Sequence, residues 1–379
     1  MKLSTFSFEP ATGWSLSEFP LLDSEQTLVF VFAAPEYLDQ PAALWELFDA
    51  YPQSTIVGCS TAGEIIGPLV NDTSLSVAVL QFERTKIEAA SAKIAPQDDS
   101  FAIGADLARK LNSRQLAAVF VLSDGLHVNG SELVKGLNSI LPPGVIVTGG
   151  LAGDGDRFER TWVISERRPQ SATVTAVGLY GKRLRVTHGS RGGWDSFGPE
   201  RRVTRSKGNI LYELDGKPAL ALYQEYLGER AAGLPATGLL FPLSIRQDSR
   251  DPNQVVRTIL AVDEVNQSMT FAGDIPQDCM AQLMRANIDR LVNGASSAAD
   301  MAKWKTGASE PALAVAISCV GRRLVLGERV EEETEITLEH LPGGTQQVGF
   351  YSYGEISPNP GGPCDLHNQT MTLTTFSEA

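Results

Sequence analysis

Apolar residues recur along this chain with two spacings, and their alternation predicts a folding unit. Residues Thr27–Ala33 form a nearly continuous apolar run of strand length, rich in β-branched and aromatic side chains. The next apolar positions are spaced as on one face of a helix: Leu44, Leu47, Phe48 and Tyr51. Another strand, a glycine turn and two further strands follow. The pattern therefore predicts a β-α-β-β-β unit.

The same order of elements is predicted twice more. A strand over residues 117–122 precedes a helical pattern at 133–141, which Pro142-Pro143-Gly144 brings to an end. A strand over residues 313–319 precedes a helical pattern at 330–341. Three similar units in one chain indicate an architecture built by repetition, with each copy burying its apolar face against the others.

One short phrase marks the end of the second strand in every unit. It occupies residues 56–64, 146–154 and 347–355. Each copy holds extended residues, small residues and a glycine, and then a carboxylate, which is Glu64, Asp154 or Glu355. Glycine allows a sharp turn or a close approach to a ligand. The repeated turns are therefore expected to come together and wall a pocket.

Consecutive strands without an intervening helix imply antiparallel pairs within each unit. The predicted fold class is α/β (mixed α+β), in which repeated units form mixed sheets flanked by helices in two packed domains, in place of a doubly wound parallel sheet. A stretch rich in glycine and alanine at 228–240 suggests the boundary. The expected division is a lead-in over 1–26, an N-terminal domain over 27–232 and a C-terminal domain over 233–379.

Two further segments carry local expectations. Residues 189–199 are expected to be a glycine-rich loop. A helix is expected after the turn at 273–276, with these apolar residues on one side: Met280, Leu283, Met284, Ile288, Leu291 and Val292.

Composition narrows the class of function. The formal net charge of −13 over 379 residues argues against nucleic acid as a partner, which requires a basic face. No run of about 18 apolar residues predicts a membrane span, and the first residues lack the apolar core of an export signal. The four cysteines are widely separated, so thiols are expected in place of disulfides. A cytoplasmic location is the resulting expectation.

Several segments, spread from about residue 28 to 377, resemble FIST-domain proteins, which have an N-terminal and a C-terminal FIST domain. Besides the three glycine phrases, the matching segments are 208–218, 273–276, 318–322 and 366–370. The resemblance implies a bacterial sensory protein of signal transduction that binds a small ligand, such as an amino acid or a similar metabolite. One branch of the family binds haem and senses nitric oxide. The resemblance also implies a signalling partner such as a histidine kinase, and a homodimer is one assembly to test.

The 188–198 segment is the first candidate binding element. Backbone N–H groups at Gly192 and Gly193 could approach a ligand, while Trp194 and Phe197 offer flat apolar walls. His188 could ligate haem iron or hydrogen-bond a carboxylate. The alternative is an ordinary loop with a hydrogen-bonded histidine.

The turn residues are the second candidate set. Glu64, Asp154 and Glu355 could line the ligand pocket together with Tyr353, or each acid could accept backbone N–H bonds at its own turn. The structural role is favoured for at least two of the three acids. His367, in the segment before the last strand, is expected to order a turn or to line the cleft.

Enzyme chemistry is the competing class. Cys319 ends a predicted strand and precedes two arginines, so it could be a reactive thiol, although a buried inert thiol is the commoner outcome. Clustered carboxylates could also perform acid–base chemistry. Ser123, Asp124 and His127 are close in sequence, but sequence proximity is not triad geometry. A protein-binding scaffold is a further alternative.

Overall fold

The computed structural model describes residues 1–95, 99–250, 254–303, 312–359 and 362–379. Its strands are β1 (Lys2–Glu9), β2 (Gly13–Trp14), β3 (Thr27–Ala33), β4 (Thr55–Ser60), β5 (Glu64–Ile66), β6 (Leu69–Asn71), β7 (Leu75–Gln81), β8 (Lys86–Lys93), β9 (Leu116–Ser123), β10 (Ile146–Leu151), β11 (Val163–Ser165), β12 (Arg168–Gln170), β13 (Thr173–Tyr180), β14 (Leu184–Arg191), β15 (Asp195–Lys207), β16 (Ile210–Leu214), β17 (Lys217–Pro218), β18 (Leu243–Arg246), β19 (Val255–Arg257), β20 (Ile259–Asp263), β21 (Ser268–Phe271), β22 (Met280–Arg285), β23 (Leu313–Cys319), β24 (Gln346–Ser352), β25 (Gly354–Pro358), β26 (Cys364–His367) and β27 (Met371–Glu378). Its α-helices are α1 (Ala42–Ala50), α2 (Ser100–Leu111), α3 (Gly130–Ile140), α4 (Ala219–Leu227), α5 (Ile288–Ala302), α6 (Val320–Leu326) and α7 (Val330–His340). The α/β class with mixed sheets is confirmed.

Three units of the chain fold alike, as the apolar pattern predicts. In the first unit β3 and β4 are parallel neighbours, and β7 runs antiparallel beside β3. Strands β9, β10 and β13 repeat this arrangement, and so do β23, β24 and β27. Parallel neighbours need a crossover connection. It contains α1 in the first unit, α3 in the second, and α6 with α7 in the third.

The three units exchange strands in a cycle. The β5–β6 hairpin follows the second strand of the first unit but pairs with β24 of the third. The β11–β12 hairpin of the second unit pairs with β4 of the first. The β25–β26 hairpin of the third unit pairs with β10 of the second. Because each sheet is completed by a neighbour's hairpin, the chain turns that precede these hairpins are drawn toward a common centre.

Aromatic side chains from all three units pack where the sheets face one another. Phe30 lies 5.0 Å from Phe120, and Phe32 lies 4.7 Å from Phe350, measured between ring centroids. Phe376 lies 5.7 Å from Phe30. Each of these rings is at most 1 % exposed. Burial of one such side chain contributes roughly 1.5–3 kcal/mol, so this shared core holds the three units together.

A fourth sheet lies between the second and third units in the sequence. It contains β15, β16 and β18–β22, with β17 paired to β16 at its side. Helix α4 packs on it through Leu220 and Tyr223, which join an apolar cluster with Val203, Ile259 and Phe271. This sheet therefore has a hydrophobic core distinct from that of the repeated units.

Helix starts follow the local sequence. The side chain of Asn129 caps α3 by accepting a hydrogen bond from the Glu132 N–H. Asp99 caps α2 in the same way by accepting from the Phe101 N–H.

The helix expected across residues 280–292 is partly wrong. Met280–Arg285 forms strand β22, and the helix begins only at Ile288. Asn287 caps this helix, and its buried face consists largely of alanine and glycine. The helical spacing arose because a strand with alternating apolar residues stands directly before a helix.

The segment expected to be a loop over 189–199 is also different. Strand β14 extends to Arg191 and pairs with β27, while β15 starts at Asp195 and pairs with β22. Only three residues join them. No helix in the described part of the chain is both long and apolar enough to cross a membrane.

Candidate functional site

The three repeated turns meet at one place, which we call the junction and define as residues 60–64, 151–155 and 351–355. The Gly153 N–H donates to the Ser60 carbonyl over 3.0 Å, and the Ala62 N–H donates to the Tyr351 carbonyl over 2.8 Å. The Tyr353 N–H donates to the Leu151 carbonyl over 3.3 Å and closes the circle. The predicted convergence of the turns is therefore observed.

Two of the three turn acids have matching structural roles. Glu64 accepts from the hydroxyl of Thr61 and from both the N–H and hydroxyl of Ser74, which precedes β7. Glu355 accepts in the same way from Ser352 and from Thr370, which precedes β27. Each acid thus joins its own turn to the start of the third strand of its unit. The structural alternative placed the backbone N–H donors in the acid's own turn, whereas here the turn supplies a hydroxyl and the backbone N–H groups belong to Ser74 and Thr370.

Burial dominates the electrostatics of both acids. It raises the pKa of Glu64 to about 7 and that of Glu355 to about 8, although hydrogen bonds from the surrounding hydroxyl and N–H groups oppose the shift. Both side chains are at most 1 % exposed.

Asp154, the third acid, organises a loop. Its carboxylate accepts backbone N–H bonds from Phe158, Glu159 and Arg160 over 2.9–3.0 Å. Tyr353 of the third turn donates its hydroxyl to the same carboxylate. The Asp154 carbonyl in turn accepts from the Nε of Arg157 over 2.7 Å. Asp154 and Tyr353 therefore position Arg157.

A small cleft lies beside the junction, and we call it the arginine cleft. Its volume is about 190 Å³. Its described lining consists of Ala34, Pro35, Glu36, Thr61, Ala62, Gly63, Glu64, Asp72, Thr73, Gly155, Arg157 and Arg323. Two of the three repeated turns contribute directly to it. Drug-sized ligands usually occupy pockets of roughly 300–1,000 Å³, so this volume suits a smaller molecule.

Two guanidinium groups in the cleft are held by carboxylates. Arg157 lies 2.6 Å from Glu36, and Arg323 lies 2.8 Å from Asp72. Burial, the largest single effect, would raise the pKa of Glu36. The hydrogen bond and the charge of Arg157, a backbone hydrogen bond and the charge of Arg160 together outweigh it, so the pKa is lowered. The hydrogen bond from Arg323 lowers the pKa of Asp72. The cleft therefore presents two guanidinium cations and two ionised carboxylates.

Gly63 is required by this geometry. Its φ of +132° lies where side chains are rarely accommodated, and a Cβ there would stand 2.4 Å from Nη1 of Arg323. The same guanidinium donates to the Ala62 carbonyl and lies 5.6 Å from the ring centroid of Tyr351. The repeated glycine thus leaves room for an arginine that belongs to another unit.

Cys319 does not have the environment of a reactive thiol. It is fully buried, and burial raises its pKa to about 12. Ser123 donates to the carbonyl of Asp124, while the ring of His127 lies 2.9 Å from the Asp124 carboxylate. A nucleophile–base pair would instead require a hydrogen bond from the serine to the histidine.

The candidate residues of the 188–198 segment do not line one common pocket. Trp194 is buried and donates its indole N–H to the Gln369 carbonyl over 3.0 Å. The Gly192 carbonyl accepts from Arg322, and a Cβ on Gly193 would lie 2.3 Å from the Arg290 carbonyl oxygen. These three residues make structural contacts at the base of α5. Phe197 instead lines a separate surface groove.

His188 faces a second, larger cavity of about 610 Å³. Its Nδ1 atom is buried and has no hydrogen-bond partner among the described residues. Burial lowers its pKa, so the neutral ring is favoured. The described lining is largely aliphatic, including Leu141, Pro142 and Val145, and contains no lysine or arginine.

His367 contacts the neighbouring strand and does not line the arginine cleft. Its Nε2 lies 3.0 Å from the Ser357 carbonyl in the neighbouring strand β25. Burial lowers its pKa. No cluster of three or more potential metal ligands occurs within the described ranges.

Sequence reasoning predicted Glu64 in the pocket but did not assign the four ion-paired residues of the arginine cleft to a binding site. Arg157 follows the second phrase by three residues, and Arg323 lies four residues after Cys319. Each arginine follows the end of a strand in one of the repeated units, and this position was the only sequence signal that could have drawn attention to it. Glu36 and Asp72 belong to connections that no motif distinguishes.

Sequence comparison assigns the family. The FIST N domain matches residues 27–217, and the FIST C domain matches residues 219–358. The chain belongs to the FIST family. FIST domains are associated with the sensing of small ligands in signal transduction.

Several FIST relatives are uncharacterized proteins. One from Mycobacterium tuberculosis is 27% identical over 272 residues, covering 68% of this chain and 67% of that protein. One from Mycobacterium bovis is 29% identical over 273 residues, covering 68% and 66%. One from Methanocaldococcus jannaschii is 24% identical over 330 residues, covering 80% and 60%. The matched part of this FIST chain thus spans about two thirds or less of each relative.

A solved structure of cyanuric acid hydrolase from A. caulinodans is similar over 100% of this chain and 98% of that one, with 9% identity and a TM-score of 0.35. At this TM-score the likeness bears on neither the fold nor the function of the FIST protein.

Proposed function

We propose that this FIST protein is a sensor that binds a small zwitterionic metabolite of the amino-acid class in the arginine cleft and signals through a partner such as a histidine kinase. The observation that carries the proposal is the convergence of Arg157 and Arg323 on one cleft. The arginines come from different repeated units, and each is held by a carboxylate in the same cleft.

The cleft chemistry supports a ligand with both charges. Guanidinium groups recognise carboxylates through paired N–H donors. Among the described residues, Nη2 of Arg157 and Nε of Arg323 donate no hydrogen bond, so each arginine retains a donor for a ligand. The carboxylates of Glu36 and Asp72 offer acceptors for an ammonium group. A volume of about 190 Å³ favours a single amino acid over a peptide.

The two arginines of the cleft also connect the proposed ligand to the turns of the junction. Asp154 and Tyr353 position Arg157, while Gly63 and Tyr351 contact Arg323. A ligand that draws the two guanidinium groups together would therefore act on all three turns of the junction.

The test is a thermal-shift and calorimetric survey of L-amino acids, each accompanied by its C-terminal amide and its N-acetyl derivative. At least one amino acid is expected to raise the melting temperature, because a ligand at about 100 times Kd stabilises by roughly 2.7 kcal/mol. The amide and the N-acetyl form should bind at least about tenfold more weakly, which corresponds to roughly 1.4 kcal/mol.

Variants locate that binding. Arg157→Gln and Arg323→Gln should each abolish the ligand-induced shift, while Arg329→Gln, which removes an exposed ion-paired arginine, should retain it. A survey without any binding amino acid, or binding that both cleft variants retain, would exclude the proposal.

A second candidate function, a haem-based nitric oxide sensor, is favoured by His188. His188 lies at the 610 Å³ cavity, its Nδ1 has no hydrogen-bond partner among the described residues, and the aliphatic lining would suit a hydrophobic group such as haem. His188 would hold the iron, and haem would supply a site for a diatomic gas.

An absorption spectrum separates the two candidates. A haem sensor would show a Soret band that shifts with nitric oxide and is lost in His188→Ala but retained in His127→Ala. Colourless protein that leaves added haem unligated would exclude the haem candidate and leave the amino-acid proposal intact.

A further inference from the structure

A surface groove separate from both cavities lies where the fourth sheet meets α6. Its volume is about 620 Å³. Phe197 of β15, Tyr226 of α4, Phe241 and Leu324 of α6 form apolar walls. Phe197 is 38 % exposed and Leu324 is 41 % exposed, so two of the large apolar side chains that the described surface exposes stand in the same groove. Exposed apolar groups gathered in one place typically mark an interaction site.

The groove also carries positive charge. Arg230 lies over the ring of Phe241 at 5.4 Å, and Arg285 lies over the ring of Phe197 at 5.8 Å. Neither arginine forms an ion pair with a carboxylate among the described residues, in contrast to the arginines of the arginine cleft. Guanidinium groups stacked on aromatic rings keep their N–H edges available for an anion. The chain as a whole carries −13, so this local charge is opposite to that of the protein.

A narrow apolar recess continues the groove. Its volume is about 20 Å³, and it shares Phe197 and Tyr226 with the groove while Leu214 and Leu283 form its floor. The recess suits the tip of one apolar side chain. Aromatic walls with cationic margins are the pattern of a site that takes an apolar anchor flanked by acids.

We propose that this groove docks an acidic segment of the signalling partner that presents an apolar anchor side chain. The inference rests on the proposed function in that the partner receives the signal, but docking itself does not require a ligand in the cleft. Its placement supports the assignment, because α6 carries Arg323 in the arginine cleft and Leu324 in the groove. One short helix thereby contacts both sites.

The test measures fluorescence anisotropy of a labelled peptide, Asp-Glu-Asp-Leu-Phe-Glu-Asp-Glu, with the full chain. Two matched peptides are used: one with serine in place of Leu-Phe, and one with glutamine in place of every acid. The parent peptide should bind, and each matched peptide should bind at least about tenfold more weakly. Affinity for the parent peptide should fall with added salt, because exposed charge pairs are screened.

Charge reversal locates the site. The double variant Arg230→Glu/Arg285→Glu should weaken the parent peptide at least about tenfold. The matched control Arg109→Glu/Arg114→Glu makes the same charge change at exposed residues elsewhere and should alter affinity less than about twofold. Both variants should retain the melting temperature and the amino-acid response of the wild type.

Three results would overturn the docking proposal. The first is that the parent peptide does not bind at millimolar concentration. The second is that the control reversal weakens peptide binding as strongly as the groove reversal, which would indicate nonspecific charge attraction. The third is that light scattering shows a dimer that the groove reversal alone dissociates, which assigns the groove to a second copy of this chain. If amino acids bind but the peptide does not, only the docking proposal is refuted. If the peptide binds but no amino acid does, only the proposed amino-acid sensor is refuted.

Discussion

Glu64 accepts hydrogen bonds from both the backbone N–H and the hydroxyl of Ser74, over 3.0 and 2.8 Å. Glu355 has the same relationship with Thr370, over 3.1 and 2.8 Å. Two copies of the repeat thus share one arrangement. In each, a buried acid in the turn after the second strand is hydrogen-bonded to the residue that immediately precedes the third strand. Its consequence is a dependence of stability on pH.

Replacement of Glu64 by glutamine is expected to reduce that dependence. Burial raises the folded-state pKa of Glu64 from 4.5 to about 7, so the folded state retains a proton that the unfolded chain releases. The stabilisation is fully present below pH 4.5 and is lost as the pH rises to about 7. Between pH 5 and 7, the free energy of unfolding of the wild type should fall by on the order of 2 kcal/mol more than that of Glu64→Gln. Urea denaturation at each pH measures the difference.

Glu355→Gln should act in the same direction over a window that reaches about pH 8. Glu328→Gln, at an exposed position, provides the control and should follow the wild-type pH profile. Parallel profiles for wild type and both buried-acid variants would show that the two acids are ionised in the folded protein at pH 5.

The repeat was predictable because its physical signals are local. A seven-residue apolar run such as Thr27–Ala33, followed by a helical face and a glycine turn, specifies a strand, a crossover and a second strand wherever it occurs. The exchange of hairpins was not predictable. Whether Ile65 pairs within its own unit or with Gly349 of the third unit depends on contacts between distant parts of the chain.

The site was predicted in part for the same reason. Glycine and a following acid revealed the turns, and these meet at the junction. Arg323 was considered only as a neighbour of Cys319, because its place in the cleft depends on the space left by Gly63, 260 residues away. Trp194 was expected to face a ligand, yet its indole N–H is used by the Gln369 carbonyl. An aromatic residue beside glycines has the same sequence signature in a binding loop and at a buried strand junction.

Gly349→Ala is expected to destabilise the third unit severely. The parallel neighbours β23 and β24 approach so closely that a Cβ at Gly349 would lie 1.8 Å from the Ala316 carbonyl oxygen. The backbone must move to relieve this overlap, which costs at least about 1–3 kcal/mol. The melting temperature should fall accordingly. Gly343→Ala is the matched control, since nothing lies within 4 Å of its added Cβ, and an equal loss in both variants would contradict the close approach.

Cys319 is expected to resist alkylation in the native protein. Burial raises its pKa to about 12 and removes it from solvent, so neither the thiolate nor access is available at neutral pH. Iodoacetamide treatment with peptide mapping should show labelling of Cys319 only after denaturation. Ser113→Cys introduces an exposed thiol that should react promptly under the same conditions. Early labelling of Cys319 in native protein would restore the enzyme alternative that relies on it.

A fully buried ion pair supports the third unit next to the junction. Both Arg322 and Glu333 have no exposed side-chain surface, and Nη2 of Arg322 lies 2.6 Å from the glutamate. The other oxygen of Glu333 accepts from Ser318 over 2.9 Å and from Tyr351 over 2.7 Å. Arg322 also donates to two backbone carbonyls, so every charge has partners.

Glu333→Gln should therefore lower the free energy of unfolding by about 3–5 kcal/mol, because it leaves the buried guanidinium without a counter-charge. Glu213→Gln removes the partially exposed pair with Arg205 and should cost less than about 1 kcal/mol. Urea denaturation of both variants measures the difference. A Glu333→Gln variant as stable as Glu213→Gln would mean that water reaches Arg322, and Tyr351 would then be hydrated beneath the arginine cleft as well.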